Sequence, residues 1–297
     1  LYQVISAFGD TAESAKLLEI ASKAATAGGA TTTDSINLLS AVTKGYGDIS
    51  AEAQQKAADL AFQTVKLGQT SFPELASSVG KVIPLAATLS LKQEDLFGAM
   101  ATLTGVTGST AEVTTQLKAT MQGFLSPSKD MTASLEKLGY ANGKALLESK
   151  GLQGALDALR QSVGGDELAF AKLFSSVEAQ TAVLALAGEQ ADNFKSKTAE
   201  MYSASGAAAT AFATATDNAE SKMQKAKNAI ANLGIVLGNT FLPYVTTAAE
   251  KLSGLVTKFS EWAQENPELL STVVKVGAAL AGLTVGAQAG KLGFLEI

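Results

Sequence analysis

Apolar residues recur along the chain at spacings of three and four positions, whereas strict alternation of apolar and polar residues is almost absent. The first spacing places apolar side chains on one face of an α-helix, and the second is typical of half-buried strands. The pattern therefore predicts an all-α protein.

Helix starts and stops are marked by short local signals. A serine followed three positions later by Glu or Gln is typical of a capping box, in which the first-turn N–H groups are satisfied locally. This spacing occurs at Ser71, Ser90, Ser109 and Ser175. Glycines stand where left-handed residues would end helices, at Gly68, Gly105, Gly123, Gly139, Gly188 and Gly206. The signals predict many short helices, and Pro84 is expected to kink or split one of them.

The spacing of these signals divides the chain into segments of different character. Short helices dominate up to about residue 190, and longer uninterrupted patterns follow residue 217. The predicted organisation is an N-terminal helical segment (1–70), a compact module of short helices (71–190), a helical connector (191–217), longer helices (218–265) and a Gly-rich apolar segment (266–297).

A heptad-like seam is predicted in the longer helices. Apolar residues follow a 3-4-3-4-3 spacing at Val245, Ala248, Leu252, Leu255, Phe259 and Trp262. This is the a/d pattern of a coiled coil. An antiparallel helical hairpin hinged near Pro243, packed on itself or on the preceding domain, explains the spacing equally well, because coiled coils normally need three to four heptads.

The segment from Val276 to Gly290 contains no charged residue. Small residues recur there every four positions, at Ala278, Gly282, Gly286 and Gly290. Such a strip lets another backbone approach closely. The run is shorter than the roughly 20 apolar residues that span a bilayer. The strip thus predicts either a close-packed helix inside an assembly or a membrane-active segment.

The composition removes most catalytic chemistries. The 297 residues include no His and no Cys, so imidazole acid–base catalysis, thiol nucleophiles, disulfides and ordinary zinc sites are excluded. The net charge of −5 argues against tight binding to nucleic acid, which normally requires a basic excess. Neither a cofactor nor a bound metal is expected, and no sequence-specific contact with nucleic acid is predicted.

The remaining enzyme motifs are weak. Ser126 to Lys129 and Ser78 to Lys81 match the Ser-x-x-Lys spacing of penicillin-recognising hydrolases, but Ser-Asp-Asn and Lys-Thr-Gly are absent from the chain. Helix caps explain both serines better. The Gly-Lys pairs lack the remainder of a phosphate-binding loop. The chain is therefore predicted not to be an enzyme.

The stretch from Ser71 to Met131 resembles the core region of tail tape measure proteins of long-tailed phages and prophages. The resemblance rests on the order and spacing of small residues and caps, which lie at 81–86 (KVIPLA), 89–97, 103–111, 116–118 and 125–128. It extends over most of residues 1 to about 265. The sequence departs from the family pattern at Leu89-Ser90, where a Gly-containing turn is usual, and at Phe174-Ser175, where Phe-Gly is usual.

The resemblance implies a structural role in the virion. Tape measure proteins fill the lumen of the growing tail tube, set its length and leave ahead of the DNA during infection. The implied partners are further copies of the chain in a homo-oligomer, the tail tube protein, tail assembly chaperones and tail tip proteins, with a possible contact to the host membrane. Synthesis in the bacterial cytoplasm is implied as well.

Two other functions compete with this interpretation. Residues 269–297 could insert into a membrane and form a channel during DNA entry, and long tail proteins elsewhere carry peptidoglycan hydrolase domains. The chain begins without Met and ends within an apolar run, which predicts that it is a segment of a longer protein.

Overall fold

The computed structural model describes residues 2–9, 13–217, 258, 260, 261 and 264–268. Residues 1–222 form one compact unit, and residues 223–297 form another. In the second unit, the described residues 258, 260, 261, 264, 265, 267 and 268 are helical. The described residues contain helices and no strand, so the predicted all-α class is confirmed.

The described part of the first unit contains fourteen α-helices. Their bounds are α1 Tyr2–Phe8, α2 Ser14–Gly28, α3 Thr32–Gly45, α4 Ala51–Leu67, α5 Phe72–Ser78, α6 Ile83–Thr88, α7 Gln93–Leu103, α8 Thr110–Leu125, α9 Lys129–Lys137, α10 Gly143–Ser162, α11 Glu167–Lys172, α12 Val177–Ala187, α13 Ala191–Tyr202 and α14 Ala207–Thr216. A 3₁₀ turn at Val79–Lys81 precedes α6, and Pro84 lies in the first turn of α6. The predicted split at Pro84 is therefore confirmed.

Most helices are directly preceded by a polar residue whose side chain caps them. The side chain accepts a hydrogen bond from a first-turn N–H group, as at Thr31, Ser50, Ser71, Ser109, Ser128, Asn142, Asp166 and Ser176. The predicted capping box at Ser71 is confirmed, because Ser71 and Glu74 exchange both bonds. The prediction at Ser175 was wrong by one residue, since Ser176 caps α12.

The prediction that Ser90 starts a helix was wrong. Ser90 has a φ of 54° and lies in the left-handed region that normally favours glycine. The N–H of Leu91 donates to the carbonyl of Ala86 at 2.9 Å, a bond typical of a left-handed helix end. Ser90 therefore ends α6, and α7 begins after Lys92 without a side-chain cap.

The helices pack around one hydrophobic core. Helix α7 lies near its centre, because residues 95–103 are all buried, as expected of a helix that is covered on every side. Helix α13 crosses α7 at Gly98, where an added Cβ would lie 2.4 Å from Oγ1 of Thr198. The close approach of these helices therefore requires glycine at this position.

A second part of the core is aromatic. The Phe174 ring meets the Phe124 ring edge-on at 5.6 Å and the Phe170 ring at 6.2 Å. Gly123, predicted to end a helix, lies instead inside α8, and an added Cβ there would lie 2.7 Å from Phe174. The glycine provides space for the ring, so the prediction of a helix end was wrong.

Candidate functional site

A buried carboxylate joins three helices near the start of α7. Asp95 is 6% exposed. Its Oδ2 accepts a hydrogen bond from the N–H of Leu152 at 3.0 Å, and its Oδ1 accepts one from the hydroxyl of Tyr202 at 3.2 Å. Helices α7, α10 and α13 are thereby fixed to one another.

The bond to Leu152 compensates for a break within α10. Gly151 has φ 67° and ψ −179°, which is not helical. The N–H groups after the break have no preceding helical turn to accept them, and Asp95 caps the first of them. Burial raises the pKa of the Asp95 carboxyl, whereas the bonds from Leu152 and Tyr202 oppose that rise. Partial burial and the negative charge of Asp95 raise the pKa of the Tyr202 hydroxyl.

Cations balance the carboxylates around this junction. Lys56 pairs with Glu94 at 2.7 Å, and the ammonium of Lys92 lies 5.7 Å from the centre of the Tyr202 ring. Glu94 and Asp95 also lie in the first turn of α7. There, negative charge interacts favourably with the helix dipole. The junction thus has the charge arrangement of a structural support.

A second buried carboxylate, Asp59 of α4, caps α14. It is 5% exposed. Its Oδ2 accepts from the N–H of Gly206 at 3.0 Å, and its Oδ1 accepts from the N–H of Ala208 at 2.9 Å and from the amide of Gln55 at 3.2 Å. The cap of α14 is therefore supplied by tertiary structure.

An open groove of about 880 Å³ runs beside α14. We call it the α14 groove. Its walls come from α4, from the start of α5 and from α14, and the stacked rings of Phe62 and Phe72, 4.9 Å apart, line it. Lys66 and Glu200 are the two charged residues in its described lining. Such a surface favours contact with apolar side chains rather than with a charged small molecule.

The Ser-x-x-Lys motifs take structural positions. Ser78 is buried, and its hydroxyl lies 3.3 Å from that of Ser77, while Lys81 is exposed. Ser126 accepts a hydrogen bond from Gln122, and Ser128 caps α9. Within the described part of the chain, no three carboxylates lie close enough together to hold a metal ion.

The predicted packing residues lie outside the described part of the chain. This holds for the seam at Val245, Ala248, Leu252, Leu255, Phe259 and Trp262 and for the strip at Ala278, Gly282, Gly286 and Gly290. Both stay predictions. Among the helices that the structure describes, none has the length and apolar character needed to cross a membrane.

Sequence reasoning did not find the tertiary roles of Asp59 and Asp95. Each is an acidic residue in a helix whose neighbouring positions are largely apolar, and a carboxylate on a buried face needs a partner. That pattern could have marked both residues as buried. The partners could not have been identified, because they lie 57 to 149 residues further along the chain.

Replacing Gly151 with Ala tests the junction. An added Cβ would lie 2.7 Å from Oδ2 of Asp95, at a φ of 67° that disfavours L-residues. We expect Gly151→Ala to lower the free energy of unfolding by about 2 kcal/mol, measured by urea denaturation. Gly80→Ala is the control, because its Cβ would meet Ala41 at an ordinary 3.5 Å. Equal stability of the two variants would contradict the assignment.

Comparison with known proteins identifies relatives of the chain. The sequence profile of the family described as phage-related minor tail protein matches residues 1–188. The chain is also 25% identical, over 245 residues, to a probable tape measure protein of Clostridium phage phiCD119. This alignment covers 72% of the chain and 25% of that relative, so the chain spans about a quarter of the relative's length. No solved structure gives a significant match.

These matches bear directly on the resemblance found in the sequence. The profile covers residues 81–86, residues 89–97 and the other segments on which the resemblance to tape measure proteins rests. The resemblance to tape measure proteins is confirmed. Helices α13 and α14 follow the last residue that the profile matches.

Proposed function

Because the chain belongs to the family of phage-related minor tail proteins, we propose that it is a segment of a tape measure protein whose residues 1–217 form a compact assembly module. Family membership gives the chain a structural role in the phage tail. The finer proposal is that the whole protein sets the length of the tail tube and leaves it ahead of the DNA.

The observation that supports this proposal is the compact fold of residues 1–217, which indicates that the module itself does not measure the length of the tail. A continuous helix of 217 residues would be about 330 Å long, at 1.5 Å per residue. A compact domain of that size has a radius of gyration of only about 17 Å. Because its short helices fold back on one core, the number of residues in the module cannot be proportional to length along the tube.

The segment whose residue number sets the length of the tail, which we call the ruler, is therefore assigned to extended helix elsewhere in the protein. We assign its beginning to residues 218–265, with the predicted heptad-like seam as the packing surface between copies of the chain. The glycine strip, Ala278 to Gly290, serves close helix packing in this scheme, and a host membrane is the alternative contact. The proposed partners are the tail tube protein, tail assembly chaperones and tail tip proteins, within the tail lumen of the virion.

Deletions in the phage gene test the proposal. Removing residues 110–137, which include α8 and α9, is expected to abolish tail assembly, because it destroys the core of the module. Removing an equal number of residues from 218–265 is expected to leave assembly intact and to shorten tails by about 42 Å, at 1.5 Å per residue. Electron micrographs of lysates give both results.

The two deletions have the same length, so only their location differs. Intact tails that are shortened in proportion by the deletion of 110–137 would contradict the proposal for the module. Tails of unchanged length after the deletion within 218–265 would contradict the assignment of the ruler. Leu168→Ala, at an exposed position of the module, is expected to leave tail number and length unchanged.

A further inference from the structure

Helix α14 takes its N-terminal cap from a distant part of the chain. Eight helices carry their own cap on the residue directly before them, whereas α14 follows Gly206, which has no side chain. Asp59, which lies 147 residues earlier than Gly206, accepts from the N–H of Gly206 and from the first-turn N–H of Ala208. If α14 leaves α4, it loses its cap.

Helix α14 also buries little apolar surface. Of its ten residues only Ala208 is buried, whereas α8 buries eight of sixteen residues, including Leu117, Met121 and Phe124. The half-buried ring of Phe212 lies 5.9 Å from the ammonium of Lys23, a contact of small energy at an exposed site. The docked position is therefore held mainly by Asp59 and by small side chains.

Away from the module, α14 would not stay helical. Isolated helices shorter than about 12 residues are marginal in water even when they are rich in alanine. Thr210, Thr214 and Thr216 lower the helix propensity further. Docking and helix formation are therefore coupled, since each depends on the other.

We propose that α14 is a latch with two states, a docked helix pinned by Asp59 and a released, non-helical segment, while α1 to α13 stay folded. Residues 203–206, which contain the left-handed Gly206, are the hinge. Release removes one wall of the α14 groove. Because the chain continues from Asp217 into residues 218–297, tension applied from that side reaches α14 before any other helix of the module.

Hydrogen exchange of the full chain, followed by mass spectrometry, tests the latch. Amides of 207–216 are expected to exchange at least about tenfold faster than those of α8, because they open without global unfolding. Exchange of both helices at one common rate would overturn the proposal, since α14 would then open only with the core.

Asp59→Asn tests whether the Asp59 carboxylate holds α14 in its docked position. Asparagine keeps one acceptor atom but loses the carboxylate that accepts from both Gly206 and Ala208, so exchange in 207–216 is expected to accelerate about tenfold, with α8 unchanged. Asp130→Asn, at an exposed position in α9, is the matched control and should change neither region. Equal acceleration in α8 and α14 after Asp59→Asn would contradict an independent latch.

A stabilising variant tests the coupling without risk to folding. Thr210→Ala with Thr214→Ala replaces two exposed residues of α14 by the best helix former, and exchange in α14 is expected to slow about fivefold. The control is Thr115→Ala, an exposed threonine of α8 that likewise bonds to the carbonyl four residues earlier. Unchanged exchange in α14 would mean that the released segment keeps its helix, which contradicts the proposed coupling.

Discussion

Replacing Phe174 with Ala is expected to lower the free energy of unfolding by about 3–5 kcal/mol. Phe174 is fully buried, and its ring contacts Phe124 and Phe170 edge-on. The backbone at Gly123 is already as close to the ring as a glycine allows. Because these neighbours are held by two different helices, α8 and α11, they cannot close the cavity that Ala leaves.

Urea denaturation followed by far-UV circular dichroism measures this effect. Leu168→Ala is the control, because Leu168 lies in α11 with Phe170 but is 75% exposed. That variant is expected to change stability by no more than about 0.5 kcal/mol. Similar losses in the two variants would contradict the role of Phe174 as the centre of the aromatic cluster.

Replacing Asp95 with Ala is expected to cost about 2–4 kcal/mol, because the buried N–H of Leu152 and the hydroxyl of Tyr202 both lose their acceptor. Asp95→Asn keeps an acceptor oxygen of nearly the same size and position. The Asn variant is expected to lose less of the free energy of unfolding, about 1 kcal/mol. Urea denaturation at neutral pH distinguishes the two, and equal losses of stability would mean that the acceptor oxygen and the side-chain volume that Asn keeps contribute nothing.

The pH dependence of the Asp95→Asn variant checks the same site. Burial raises the pKa of Asp95 above its ordinary value of 3.8, so the folded state binds the proton more tightly than the unfolded state does. The stability that Asp95 contributes is therefore greatest below about pH 4 and decreases as the pH rises through the folded pKa. Asparagine does not titrate, so the stability of the variant should increase relative to that of the parent as the pH rises over that range. A difference in the free energy of unfolding that does not change with pH would contradict the raised pKa.

The roles of these residues differ in how far they could be predicted. The cap at Ser71, the split at Pro84 and the all-α class follow from residues within four positions of one another. Helix periodicity and capping depend on hydrogen bonds between near neighbours, so a short stretch of sequence contains all the necessary information. Family membership was also recognisable, because it depends on the order of such local signals.

Ser90 and Gly123 show where the local rules were insufficient. Ser90 matches a capping box, yet it ends the preceding helix in a left-handed conformation. Gly123 resembles a helix end, yet α8 continues through it, and Phe174 packs against it from 51 positions away. At Gly123 a contact with a distant part of the chain decided the outcome, whereas at Ser90 the local bond from Leu91 to Ala86 formed in place of a helix start.

By itself, the sequence determined the secondary structure class, most helix starts, the absence of imidazole and thiol chemistry, and the resemblance to tape measure proteins. Only the tertiary structure decided that Asp95 caps the broken helix α10, that Asp59 caps α14, and that Gly98 admits α13 against α7. The physical reason is the range of the interactions. A buried carboxylate is stabilised only by a donor that folding brings within about 3 Å of it. The space that a glycine leaves is likewise filled only by a group that folding brings against it.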